Sequence, residues 1–427
     1  MHRFLLPLSV AVFAMPATAA TPTPSGAHDT YSAAAGNAGE AAAALTLPAA
    51  LALAMRANPD LSAARHEAAA LDGAAQQARA LPNPQLQTLV EDSRRATRST
   101  TVQLNQTLEL GGQRGARIDA ARHGRDGAAH DLAAQRAATR AAVSVAFVEV
   151  LAAQEGLRLA DSAAALARHA GDIAARRVAA GKASPVEQTR ARVAEAAARL
   201  DANLAGGALA GARKRLAALW GNPAPPFSQA EGRLEPLPAL PDEADLARRL
   251  GNAPAVLKAR SALAQRTAMA QLERSRRTPD LSVSVGVKRS AELGRNQAIF
   301  GLSLPLPLFD GNQGNVLEAL RRGDKAADEL AAASIRSGAE LAAARQTLQD
   351  ARQQVEALRG DILPGAQSAY EAAAKGFEYG KFAFIDVLDA QRTLLQANTQ
   401  HLRALADAHK AAAEIDRILG EPAHAAE

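Results

Sequence analysis

The stretch LSVSVGVKRSAELGRNQAIFGLSL, residues 281–304, alternates its side chains so regularly that it constrains the rest of the chain. Leu281, Val283, Val285 and Val287 fall on one side of an extended strand, and Ser282, Ser284, Gly286 and Lys288 on the other. After the polar join RSAELGRNQ (289–297), Phe300, Leu302 and Leu304 again share a face, opposite Gly301 and Ser303. The pair reads as a β-hairpin with one apolar and one polar face. A weaker version comes earlier, in PQLQTLVE (84–91), the charged turn DSRRATRS (92–99) and TTVQLNQTL (100–108). Four strands are too few to close a barrel, since single-chain membrane barrels use about eight or more. Two readings follow. The hairpins are either a soluble cover half-buried on helices, or a wall between lipid and water completed by further copies of the chain. Three copies would supply about twelve strands. The low aromatic content, 3%, favours the first, because membrane barrels usually carry aromatic girdles.

Each hairpin belongs to a module written twice. RANPDLSAAR (56–65) resembles LGNAPAVLKAR (250–260), and PNPQLQ (82–87) resembles TPDLSV (278–283). TLELGGQRGAR (107–117) is answered by LPLFDGNQGNV (306–316), so that Gly112 falls on Gly311 and Gly115 on Gly314. AAGKASPVEQTRARV (179–193) matches EYGKFAFIDVLDAQR (378–392), with Gly181-Lys182 on Gly380-Lys381, and LWGNP (219–223) matches ILGEP (418–422). The last three matches keep one offset, 199 residues. Each module is helix, strand, strand, very long helix, tight turn, long helix. Glycine tolerates backbone angles that other residues avoid. Gly112, Gly115, Gly311 and Gly314 are therefore the expected strand-to-helix turns, where each hairpin runs into its long helix.

The helices are Ala-rich, which favours long, closely packed rods over a thick core. Leu341, Ala344, Leu348, Ala351, Val355, Leu358 and Ile362 step by three and four. Val186, Val193 and Leu200 recur every seven residues, with Ala197 and Leu204 interleaved. Both are coiled-coil seams. Residues 113–179 contain no proline and predict one helix roughly 100 Å long. Pro364 interrupts the corresponding stretch of the second module and predicts a kink.

The N-terminus, MHRFLLPLSVAVFAMPATAA, has a positive start, an apolar run from Phe4 to Ala14 and a small-x-small site at Ala17-Thr18-Ala19. Residues 1–19 are read as a secretory signal peptide. Residues 20–44 read as a flexible leader, 45–222 as the first repeat and 223–241 as a Pro-rich linker. Residues 242–422 read as the second repeat and 423–427 as a tail. The strands are expected at about 84–91, 100–108, 280–288 and 298–306. No later stretch is an uninterrupted apolar run of about 20 residues, the length a spanning helix needs. Cysteine is absent, which excludes disulfides, thiolate metal sites and lipidation on cysteine. A net charge of +5 from 49 basic and 44 acidic residues, without a basic aromatic patch, argues against nucleic acid. No nucleophile motif, phosphate loop or metal-ligand cluster points to an enzyme or a cofactor. His123 and His130, and His401 and His409, lack the close spacing of a helical metal site.

The duplicated plan, the FDGNQG turn (309–314) and YGKFAFIDVLDAQRTLL (379–395) together resemble the TolC-like outer-membrane efflux protein family over nearly the whole mature length. LELGGQRGAR (108–117) is closer to its heavy-metal, CzcC-like branch. The resemblance implies a mainly α fold with a small β part. Three chains would form a 12-stranded outer-membrane β-barrel continued by a periplasmic α-helical barrel. It implies a homotrimer in the outer membrane of a Gram-negative bacterium, embedded in its lipid, with no enzymatic activity and no cofactor. A periplasmic adaptor (membrane fusion) protein would join it to an inner-membrane resistance-nodulation-division pump driven by protons. The cargo implied is heavy-metal cations, with drugs or other small molecules as the alternative. A periplasmic coiled-coil scaffold is the rival from another class.

The resemblance also assigns roles to residues. Val283, Val285, Val287, Phe300, Leu302 and Leu304 would face lipid. Gly181, Lys182, Gly380 and Lys381 would lie in the tips that meet the adaptor, although lysines there serve solubility equally well. Asp386 and Asp389 match the acidic positions of the family's constricted tip. Three residues apart, they share a helix face, and three copies would ring an opening with carboxylates. The plainer alternative is that they complement the positive end of a helix dipole. Glu187 and Arg190 occupy the same positions in the first module, so a ring there would be mixed in sign.

Overall fold

The structure, a computed structural model, describes residues 44–421 except 93 and 223. The signal peptide, most of the leader and the 423–427 tail lie outside the described residues. The first module runs β1 (Leu45–Thr46), α1 (Leu47–Ala57), α2 (Pro59–Ala78), β2 (Gln85–Glu91), β3 (Ser99–Leu108), α3 (Gln113–Ala179) and α4 (Pro185–Ala218). After the short strand β4 (Ala230–Glu231), the second runs α5 (Glu243–Leu250), α6 (Pro254–Ser275), β5 (Leu281–Ser290), β6 (Arg295–Ser303), α7 (Gln313–Ala357), a π-helical turn (Leu358–Ile362), α8 (Leu363–Glu378) and α9 (Phe384–Leu419). The duplicated plan is present element for element.

Local chemistry sets the helix ends. Thr46 and Asn58 cap α1 and α2 by accepting from the Ala49 and Leu61 amides, with proline inside each first turn. α3 is a single helix of 67 residues. In the second module the disturbance expected at Pro364 takes the form of the π-helical turn just before it, which accommodates the missing proline donor. Pro305 cannot donate to a ladder, and β6 ends at Ser303. The hairpin turn is only four residues, 291–294, with Gly294 at φ +62°, so β6 begins at Arg295 and not near 298.

All four long strands form one antiparallel sheet in the order β2-β3-β5-β6. The hairpins join through β3 and β5, paired from Ser99 opposite Ser290 to Leu108 opposite Leu281. The helices pack around small residues in three buried clusters. Leu341, Ala344, Leu348, Ala351, Val355 and Leu358 are buried as the second seam requires, and Ile362, in the π-turn, is exposed. The first seam behaves differently. Val186, Val193, Leu200 and Leu204 are 57–64% exposed, and α4 instead buries Ala191, Leu209, Ala212 and Leu216.

The linker expectation needs correction. Residues 223–241 were expected to be a linker, but the described part is an ordered strap. β4 pairs in parallel with β1, Phe227 and Leu234 are buried, and the Phe227 ring lies 6.3 Å from that of Trp220. Gln154 holds both backbone groups of Ala230, and an imidazole nitrogen of His409 meets the Leu234 carbonyl at 2.7 Å. The prolines exclude helix, yet their carbonyls remain acceptors, and Arg345 and Arg352 bond those of Pro241 and Pro238. Consistent with the absence of an uninterrupted apolar run of about 20 residues, the most apolar part of α3 is an 18-residue window that suits membrane crossing by composition only. Val143, Phe147, Val150 and Leu151 of α3 lie in the central core cluster with Leu216, Phe227 and Leu405, which accounts for their apolar character.

Candidate functional site

Cross-strand register places most of the apolar side chains of the four strands on one face, with Leu89 and Ile299 on the other. Leu86, Leu104, Val285 and Phe300 form one row across the sheet. Val102, Val287 and Ala298 form the next on one side, and Val283 and Leu302 lie on the other. This face is not covered: Phe300 is 80%, Leu302 75% and Leu86 73% exposed, and Val285, Val287 and Leu304 are exposed as well. Val283 is half-buried. The six expected residues thus lie on one surface, and the first hairpin extends it through Leu86, Val90, Val102, Leu104 and Leu108. A soluble cover would bury these residues against helices, which the structure does not.

The opposite face is polar and cross-linked. Lys288 pairs with Glu91 at 2.5 Å, and the Ser99 hydroxyl donates to the same carboxylate at 2.8 Å. The Gln103 and Asn105 amides both donate to Gln87 Oε1, at 2.8 and 3.1 Å. The last three bonds join β2 to β3 within the first hairpin, and Lys288 reaches past β3 to tie the two hairpins together.

The strand-to-helix turns differ from expectation. Gly112 is left-handed, with φ +78°, and caps α3. Its conformational counterpart is Asn312, φ +58°, which caps α7, while Gly311 has no positive φ. Gly115 and Gly314 lie inside the first helical turns, with open space where a Cβ would stand. The glycine that is sterically required is Gly111. Its φ is +67°, and a Cβ there would lie 2.7 Å from the Ser275 carbonyl oxygen and 2.8 Å from Thr278 Cβ. Asp280 fastens the same corner by accepting from Gln113 Nε2 at 2.8 Å and the Leu110 amide at 3.3 Å.

At the far end of the helices, the two Gly-Lys pairs close identical turns. Gly181 donates to the Val178 carbonyl and Lys182 to that of Arg177. Gly380 and Lys381 repeat this with Phe377 and Gly376. These are Schellman caps, which need a left-handed residue, here glycine at φ +69° and +73°. The second tip is the more apolar: Tyr379, Phe382 and Ile385 are exposed, and the Phe382 ring lies against Gly376 where a Cβ would stand. Beneath them Phe377 and Phe384 pack 5.5 Å apart with Val387, Leu388, Ala174 and Ala191.

Asp386 and Asp389 share the exposed face of α9, opposite the buried Phe384, Val387 and Leu388. The Asp386 carboxylate accepts from the Ala383 amide at 2.9 Å and so helps begin the helix. Asp389 has no such role: its own carbonyl accepts from Thr393, and its carboxylate is solvent-facing. Among the described residues no three His, Asp or Glu side chains are grouped to hold a metal ion. His401 and His409 instead face the strap, at Glu235 and Leu234.

The model of the family described as outer membrane efflux protein matches residues 50–222 and 246–421, and the chain belongs to that family. It is 48% identical over 381 residues to the cobalt-zinc-cadmium resistance protein CzcC of Cupriavidus metallidurans, covering 89% of this chain and 91% of the relative. It is 29% identical over 276 residues to the nickel-cobalt-cadmium resistance protein NccC of Alcaligenes xylosoxydans xylosoxydans, covering 63% of this chain and 62% of that one. The solved structure of CusC superposes with a TM-score of 0.77 at 19% identity over 88% of this chain and 92% of that chain, a likeness of fold.

Proposed function

We propose that three copies of this outer membrane efflux protein assemble into a passive duct through the outer membrane, and that the duct exports heavy-metal cations. The observation that carries the reading is the four-stranded sheet with an uncovered apolar face and a cross-linked polar one. In lipid every backbone polar group must be paired, so β2 and β6, the edges of the sheet, require neighbours. Pairing edge to edge with two further copies closes the wall, apolar side outward to lipid and polar side inward to water. The uncovered seam of α4, Val186, Val193, Leu200 and Leu204, gives the same copies a helical contact below the membrane. The metal cargo follows the relatives named for cobalt, zinc, cadmium and nickel resistance.

In this assembly the caps at Gly181-Lys182 and Gly380-Lys381 are the ends offered to a periplasmic adaptor, which links the duct to an inner-membrane proton-driven pump. Asp386 and Asp389 line the narrow end, where repeated carboxylates favour cations. Transport energy comes from the pump, and the duct catalyses no reaction. The deciding experiment is growth of a strain lacking this protein on a panel of zinc, cobalt, cadmium and copper salts. The expected result is lost tolerance to one or more of these metals, restored by the intact gene. Unchanged metal tolerance with new drug sensitivity would assign the duct to another cargo. Absence of the protein from the outer-membrane fraction would favour a periplasmic scaffold.

A further inference from the structure

The two ends of the sheet carry different charge. At the helix end the charged groups are engaged: Glu109 pairs with Arg117, Asp280 accepts from Leu110 and Gln113, and Asp310 accepts from the Asn312 amide. At the turn end Arg94, Arg95, Arg98, Arg289 and Arg295 are all exposed, and none of them has an ion pair among the described residues. The nearby acids do not offset them. Glu91 is held by Lys288, Asp92 accepts from Thr97 Oγ1 and the Arg94 amide, and Glu292, in the turn between Arg289 and Arg295, is one carboxylate among five arginines.

Register decides where two of these arginines lie. Arg289 pairs with Thr100 two positions beyond the Val287–Val102 pair, so it projects from the apolar face. The Ala291 amide donates to the Arg98 carbonyl at 2.9 Å, which continues the ladder and places Arg98 on that face beside it. Leu281 to Arg289 is nine residues, within the roughly 9–11 that a tilted membrane strand uses to cross the hydrocarbon. The arginines therefore mark the boundary where hydrocarbon gives way to headgroups. Guanidinium groups bind phosphate through two parallel hydrogen bonds, and basic residues at a membrane surface attract anionic lipid.

We propose that the rim centred on Arg98 and Arg289 docks the phosphate groups of an anionic glycolipid in the outer leaflet. The proposal rests on the sheet being a membrane wall. The test uses the full-length protein in neutral detergent, titrated with diphosphorylated lipid A. Bound lipid is read by native mass spectrometry and stabilisation by thermal melting. Wild-type protein is expected to bind and to melt several degrees higher, and the Arg98→Gln/Arg289→Gln double variant to bind about tenfold or more weakly. Arg192→Gln, on α4, should bind as wild type. Equal binding by the double variant, equal binding of phosphate-free lipid A, or the same stabilisation by inorganic phosphate would overturn the proposal. Flotation with phosphatidylcholine vesicles separates the two readings. If the wild type does not enter neutral vesicles, the membrane wall itself fails. If it enters them and lipid A binding ignores the arginines, only the rim fails.

Discussion

The Arg177 guanidinium lies 4.5 Å over the Phe377 ring and donates to the Phe377 carbonyl at 2.9 Å, joining the last turn of α3 to the last turn of α8. The two helical hairpins thus share one fastening at their tips. Arg177→Gln removes the cation–π contact and one of the two donors to the Phe377 carbonyl, leaving the Gly380 amide. A loss of about 1–2 kcal/mol is expected. Because α3 and α8 remain anchored elsewhere, the effect should be local. Hydrogen exchange should quicken around residues 174–186 and 373–388 and stay unchanged in the strap.

The seam on α4 tests assembly separately from folding. Val193 and Leu200 are 64% and 58% exposed, so charge there costs the isolated chain little. Between copies the same charge would be buried without a partner. Val193→Glu/Leu200→Glu should leave the far-ultraviolet helix signal intact and convert a trimer into smaller species in light scattering. A trimer that survives both substitutions would remove α4 from the interface.

How much of this was legible in the sequence depends on the range of the forces involved. The alternation in 281–304 is a period-two pattern within one strand, and the sheet followed from it. The Gly-Lys tips were found by repetition, because a Schellman cap is set by residues within one turn of the helix. Gly111 could not be found that way: the atoms that exclude its Cβ belong to Ser275 and Thr278, remote in sequence. The adjacent Gly112, matched by offset to Gly311, drew attention instead, although Asn312 takes the equivalent conformation. The strap was misread because prolines exclude helix without excluding order, and its anchors, Gln154 and His409, sit in helices far along the chain. The uncovered α4 seam looked like the buried α7 seam, since a heptad does not say whether its partner lies in the same molecule.

His401 predicts a pH dependence for the strap. Its side chain is 18% exposed, and its Nε2 lacks a hydrogen-bond partner and stands 3.9 Å from Glu235. It borders a cavity of about 510 Å³ that also contains Glu155, Arg158 and Arg233. Burial pushes the imidazole below its ordinary 6.5, with Glu235 opposing and Arg359 adding to the shift. Between the depressed value and 6.5 the unfolded chain binds the proton more readily than the folded one. Stability therefore rises with pH across that window and is lost as pH falls below 6.5. Thermal melts from about pH 5 to 8 should show this slope, and His401→Gln should flatten it.

Asp386 and Asp389 can be separated by what each substitution disturbs. Asp386→Ala removes the acceptor of the Ala383 amide and a negative charge at a helix start, with a cost of roughly 0.3–1 kcal/mol. Asp389→Ala should leave stability unchanged, since its carboxylate makes no cap. If both line the narrow end, Asp386→Asn and Asp389→Asn should each reduce cation preference in planar-bilayer recordings of the assembled protein. A change confined to Asp386 would identify a helix-start effect and remove the carboxylate ring.

The corner at Gly111 gives the sharpest contrast between neighbouring glycines. Gly111→Ala places a Cβ against the Ser275 carbonyl and Thr278 at a left-handed φ of +67°, so both sterics and backbone oppose it. The Ser275 carbonyl belongs to the last turn of α6 and cannot retreat without disturbing that helix end. The expected loss is about 2 kcal/mol or more, and weakened packing between α6 and the start of α3 should accompany it. Gly115→Ala and Gly314→Ala fall in helical first turns with open space, where alanine is preferred by up to about 1 kcal/mol. Denaturant melts of the three variants should therefore move in opposite directions. If Gly115→Ala proved as damaging as Gly111→Ala, the close approach at residue 111 would not be what fixes the turn from strand to helix.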